Sequence, residues 1–230
     1  MRTLAVLLSF LGAVMAVSST PLRIATTDQL APFGPLVVTV VRQAGFEAVI
    51  QTMPQARMVV ELQSGIWDGA FFFTDLALEQ MPGMVKVPVS LYRNEIVAVA
   101  ARPGVRVSSR ADLSRYSVGI ERGNKTHEAV VKGLENVQAA EDQATQFRML
   151  AVGRFDVAIS SRALLGALAR QAGIPKLYIQ EPPLSVLPLY LAVTRANQAA
   201  VPALASAFAR AVESGQWAKD LNAVLAKANQ

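Results

Sequence analysis

The chain has 230 residues, 22 of them basic and 17 acidic, a formal charge of +5, and no cysteine. Disulfides and thiolate metal sites are excluded, so packing must hold the fold together. The Lys and Arg residues are scattered, with no basic stripe interleaved with aromatics, which argues against a nucleic-acid partner.

Arg2 precedes an apolar run at 4–16 broken by Ser9 and Gly12, and small residues follow. This pattern reads as a secretory signal over 1–19, cleaved before Val17 or a little later. The run is shorter than the roughly 20 apolar residues of a spanning helix. Without a cysteine there is no lipid acceptor, so a free, unlipidated periplasmic protein is expected.

Beyond the signal, strands and helices alternate. Residues 22–26 read as a strand, 36–43 as a helix ended by Gly45, and 46–51 as a second strand. Then comes an internal echo. Leu62-x-x-Gly65-x-x-Asp68-Gly-Ala70 reappears as Leu150-x-x-Gly153-x-x-Asp156-Val-Ala158. Each copy ends an amphipathic helix on a glycine suited to a left-handed cap and enters an apolar strand. Upstream of the second copy, 116–120 is a strand, 122–125 a turn and 126–134 a helix. Each half is strand, helix, strand, helix, strand, which predicts mostly parallel sheets covered by helices.

Two long extended segments, 91–100 and 185–194, bracket the middle and read as a pair of hinge strands. The tail from 198 is periodic, breaks at Ser214-Gly215, and resumes as a helix carrying Trp217, Leu221 and Leu225. The expected fold is α/β with two Rossmann-like lobes: 20–98 with 195–230 in the first, and 99–194 in the second.

In open α/β lobes, ligands lie beyond the carboxyl ends of the strands. That rule nominates Asp28 with Thr27, Phe33, Arg57, Thr74, Asp75 and Arg93 with Tyr92. In the second half it nominates Asn124, Lys125 and Thr126, where free N–H groups at a helix start favour an anion, and Ser160, Ser161 and Arg162. Structural alternatives stand beside these: Asp28, Thr27, Asn124 or Thr126 as caps, Phe33 as core, Arg57 as a solvated surface residue. Four cations (Arg57, Arg93, Lys125, Arg162) against Asp28 and Asp75 point to a small polar solute with a carboxylate or other anionic group. His127, the single histidine, reads as a surface residue, the 71–73 phenylalanines as core, and Asp68 and Asp156 as structural. No catalytic constellation, metal site or cofactor motif is found.

The Leu-x-x-Gly-x-x-Asp segment at 62–68, Asp112-Leu-Ser-Arg-Tyr-Ser-Val-Gly119, Gly153-Arg-Phe-Asp156-Val-Ala158, Leu189-Tyr-Leu-Ala-Val193 and Ser214-Gly215-x-Trp217 occur in a telling order. In these the chain resembles the polar amino-acid type of extracellular solute-binding protein (family 3), whose members serve ABC importers. The resemblance covers nearly all of the chain after the signal. It implies a type II periplasmic binding protein fold, a monomer, a membrane permease as partner, and lobes that close on a solute. It also implies an Arg in the loop after the first Gly-x-x-Asp strand and an Asp ending the matching strand of the second lobe. Here the loop from Thr74 to Pro82 has no Arg, and Ser161 stands five residues after Asp156. A ligand-sensing partner of a histidine kinase, or a dehydratase-like enzyme, are the alternatives on the same fold.

Overall fold

The computed structural model describes residues 20–228; the segment 1–19, read from sequence as a secretory signal, lies outside them. The first stretch forms β1 (Leu22–Thr26), α1 (Gly34–Gln43), β2 (Ala48–Thr52), α2 (Gln55–Gln63), β3 (Gly69–Phe73), α3 (Asp75–Leu78) and β4 (Met84–Lys86). Then come β5 (Tyr92–Ala100), β6 (Val118–Glu121), α4 (Lys125–Val131), β7 (Val137–Ala140), α5 (Gln143–Ala151), β8 (Val157–Ser161), α6 (Leu165–Gln171) and β9 (Tyr178–Ile179). The chain closes with β10 (Ser185–Thr194), α7 (Val201–Glu213) and α8 (Gln216–Ala228). Among the described residues, no helix is long and apolar enough to cross a membrane.

The strands run in the order β2-β1-β3-β10-β5-β8-β6-β7. On one side β1 pairs in parallel with β2 and β3, and β10 joins β3 antiparallel. On the other side β6 pairs in parallel with β7 and β8, and β5 joins β8 antiparallel. The two halves are therefore built to one plan. β10 runs through both: its second half pairs with β3 and β4, its first half with β5. The sequence boundary at 98/99 falls inside β5, whose ladder partners are β8, β9 and the first half of β10.

Each sheet is covered on both faces, so strand residues of both parities are buried. Leu22, Ile24, Phe71, Leu191 and Val193 face α1, α7 and α8, with Phe208 and Trp217 edge to face at 5.5 Å. Ala25, Ala70 and Ala192 face α2 and α3. In the second half, Ile96, Val118 and Ile159 pack with Val130 and Val131 of α4, while Val97, Val99 and Ala158 pack with α5 and α6. Fully burying a side chain such as Phe147 or Phe208 stabilises the fold by about 1.5–3 kcal/mol.

The echo has a structural cause. Gly65 and Gly153 end α2 and α5 at φ +75° and +73°, a region that side chains with a Cβ avoid. Three residues on, Asp68 Oδ2 accepts the Arg23 N–H of β1 at 2.8 Å, and Asp156 Oδ2 accepts the Ser117 N–H before β6 at 2.9 Å. The aspartates return the bond, donating their own N–H to the carbonyls of Arg23 and Ser117. Each carboxylate therefore locks the start of one parallel strand to its neighbour. Asp156 is held below the usual carboxylate range by its Ser117 bonds; Asp68 is likewise lowered, bonds from Arg23 and Asn197 outweighing burial.

Candidate ligand-binding cleft

A cavity of about 100 Å³ lies between the two halves, walled by the carboxyl ends of strands from both. The first half contributes Thr27 and Phe33 after β1, Gln55 and Met58 at the start of α2, and Phe71 to Thr74. Tyr92, Asn94 and Ile96 line it from β5, and Leu221 and Leu225 from α8. The second half contributes Glu121, the residues 124–127, Gln143, Ser161 and Leu164.

Eight residues nominated from sequence line this space: Thr27, Phe33, Thr74, Tyr92, Asn124, Lys125, Thr126 and Ser161. Asp28, Arg57, Asp75, Arg93, Ser160 and Arg162 do not. Arg57 points away on α2 and pairs with Glu61 at 2.6 Å. Asp75 is drawn to Lys86, also at 2.6 Å, and does not line the cavity. Asp28 is exposed, while its neighbour Thr27 lines the cavity. Arg93 is exposed because side chains alternate along a strand and Tyr92, Asn94 and Ile96 take the cavity face. Arg162, the last of the four counted cations, pairs with Glu95 and with Glu181. The excess of basic groups expected around the ligand thus reduces to Lys125, whose Nζ is 2.8 Å from Glu128 Oε2.

The polar wall is a connected network. Asn124 caps α4, its Oδ1 accepting the His127 N–H at 3.2 Å, and its Nδ2 donates to Glu121 Oε2 at 3.0 Å. Gln143 Nε2 donates to the same oxygen at 3.1 Å, and Ser160 Oγ donates to Gln143 Oε1. Burial pushes the Glu121 carboxyl above the ordinary glutamate value, and the nearby Asp142 adds to the rise. Ser161 Oγ donates to Asn94 Oδ1.

His127 is buried, correcting the surface position expected from sequence. Its Nδ1 accepts the Glu121 N–H at 3.4 Å, and burial lowers its pKa from 6.5 to about 3. It is therefore a neutral ring with its proton on Nε2. Helix α4 packs on β6, which turns position 127 inward; one histidine in a short polar segment carries no periodic signal of that.

Phe72 is a further feature that sequence reasoning missed. The β3–β10 register passes from Phe71↔Leu191 to Phe73↔Tyr190, so Phe72 is the extra residue of a bulge. It sits at φ +66°, a conformation usually left to glycine. Its ring meets Phe33 edge to face at 5.3 Å on the cavity wall. The phenylalanine run is core at Phe71 and Phe73, as expected, but its middle member is a cleft residue.

The halves touch beside the cavity. Thr74, which caps α3, and Thr126 of α4 bring their hydroxyl oxygens to 2.7 Å.

The architecture is the type II periplasmic binding protein fold. It is similar to an amino acid ABC transporter substrate-binding protein from Streptococcus pneumoniae bound to L-arginine, with a TM-score of 0.76, 15% identity, and 91% of this chain and 96% of that one covered. A mutant of ArgBP from T. maritima has a TM-score of 0.73 at 17% identity, covering 90% and 93%. A histidine kinase sensor domain with similarity to periplasmic binding proteins has a TM-score of 0.76 at 15% identity, covering 90% and 95%. No family model and no curated protein matches the chain. At these identities the likeness establishes the fold.

Proposed function

We propose that the protein is a monomeric periplasmic solute receptor that closes two lobes on one small solute and passes it to the permease of an ABC importer. The observation that carries this reading is the cavity itself: set between the halves, walled by strand ends of both, and mixed apolar and polar. The similar solved structures that are substrate-binding proteins of amino acid ABC transporters support it, and support binding over catalysis. In this proposal the lobes are 20–91 with 190–228, and 92–189. Rotation is absorbed where β10 passes between the sheets and where the chain enters β5. A ligand drives closure only through its higher affinity for the closed form. The carboxylate preference drawn from four basic side chains is not retained, since three of them lie outside the cavity. The similarity to substrate-binding proteins of amino acid ABC transporters favours an amino acid or related small nitrogenous solute.

A thermal-shift screen against amino acids, amines, small carboxylates and sugars tests this. A ligand specific for the folded state at a hundredfold excess over its Kd contributes about 2.7 kcal/mol. A flat screen would sink the receptor reading. The sensor-domain likeness favours one second reading, in which the closed form is recognised by a membrane histidine kinase. Uptake of the identified solute into vesicles carrying the permease separates the two.

A further inference from the structure

Resting on the receptor reading above, we propose that Glu121 is the acceptor for a cationic group of the solute, and that the cavity takes a small ammonium-bearing compound with an apolar body. Glu121 ends β6, is 1% exposed, and lines the cavity. Both hydrogen bonds to its carboxylate reach Oε2, from Asn124 and Gln143; among the described residues Oε1 accepts none. A carboxylate offers about four lone-pair sites, so half of its accepting capacity is open.

No cation of the protein fills that gap. Lys125 is the one basic side chain among the described residues lining the cavity, and it is committed to Glu128. His127 is neutral, and Asp142, which caps the facing helix α5, adds negative potential. A buried carboxylate with amide donors alone is under-compensated, because no counterion balances its charge. A ligand ammonium group supplies the missing partner. Phe33, Phe72 and Tyr92 suit the rest of such a molecule, as cover for an apolar body and as π faces for its charged end.

The test is calorimetric titration of the wild-type protein and Glu121→Gln with butylamine, phenethylamine, the isosteric alcohols butan-1-ol and 2-phenylethanol, butyrate, glucose and the common amino acids. Ammonium-bearing compounds are expected to bind wild type, with affinity at least about tenfold weaker in Glu121→Gln. Should that variant misfold, wild type supplies the answer alone. Alkylammonium groups stay charged from about pH 8 to about pH 4, so affinity should fall on acidification as Glu121 takes up a proton. Unchanged amine affinity in Glu121→Gln, pH-independent amine binding, or binding of only the neutral or carboxylate members would overturn the assignment and leave the receptor reading standing. No binding by any compound would overturn both.

Discussion

Gly123 of the second lobe lies so close to Ala56 of the first that a methyl group on it would sit 2.6 Å from the Ala56 Cα. The obstruction is backbone, which cannot swing aside. Together with the Thr74–Thr126 hydroxyl pair, this contact sets how nearly the lobes can approach over the cavity.

Gly123→Ala is therefore expected to hold the lobes apart. Solute affinity should drop at least about tenfold, and small-angle scattering should report a larger radius of gyration. Gly123 also sits at φ +78°, so strain must be separated from obstruction. Gly133, at φ +83° with nothing near its missing Cβ, is the control. Gly133→Ala should lower stability without changing affinity; equal losses of affinity in both variants would refute the wedge.

Phe72→Gly should separate stability from binding. A bulky residue in the left-handed region stores about 1–3 kcal/mol of strain, which glycine relieves, offsetting much of the lost ring packing against Phe33 and Phe71. Urea denaturation is expected to give a stability within about 1.5 kcal/mol of wild type, while solute affinity falls. A loss of the size usual for a buried phenylalanine, about 3–5 kcal/mol, would remove the bulge strain from the account.

The buried imidazole of His127 links stability to pH. Its folded pKa is about 3 against 6.5 when exposed, so the unfolded chain binds the proton first. Its contribution is complete above pH 6.5 and is lost as pH falls towards 3, with a slope of up to about 1.4 kcal/mol per pH unit. Glu121, raised in the fold, acts in the opposite sense, favouring the fold as pH falls through its own pKa. The difference between wild type and His127→Gln isolates the histidine. Urea melts at about pH 7 and about pH 5 should show wild type losing more stability than the variant on acidification; parallel losses would contradict the burial.

Gly153→Val should harm folding and spare binding. The left-handed cap at φ +73° disfavours any Cβ, and one placed there would also meet the Arg102 guanidinium at 2.4 Å. A cost of about 1–2 kcal/mol follows from the handedness penalty, lowering the melting temperature by about 2–4 °C for each kcal/mol. A wild-type melting curve would count against the shared cap of the two lobes.

The sequence announced the fold where chemistry forced a local choice. Gly65 and Gly153 had to be glycines at left-handed caps, and Asp68 and Asp156 had to follow at a fixed distance to reach the neighbouring strand. Strands 22–26 and 185–194 were legible to the residue, because apolar runs bounded by turn residues leave little freedom. The site was harder to see. Whether Arg57 and Arg93 face the cleft depends on helix rotation and strand parity, which charge alone does not reveal. Glu121 closes an apolar strand just before a turn, a pattern that reads equally as a solvated loop start. Phe72 was hidden because a bulge is a relation between two strands and leaves no mark on one of them.

The path of β10 also dictates the order in which the molecule can be completed. A strand in the middle of the first lobe's sheet, lying between β3 and β4, is supplied by residues that follow the whole of the second lobe in the chain. Chains emerge from the ribosome amino end first, so the first lobe to appear stays open along one edge while the later one has nearly all its parts. The lobe that is started first is therefore finished last, and a chaperone meets it with the β3 edge unpaired until residues 190–194 arrive.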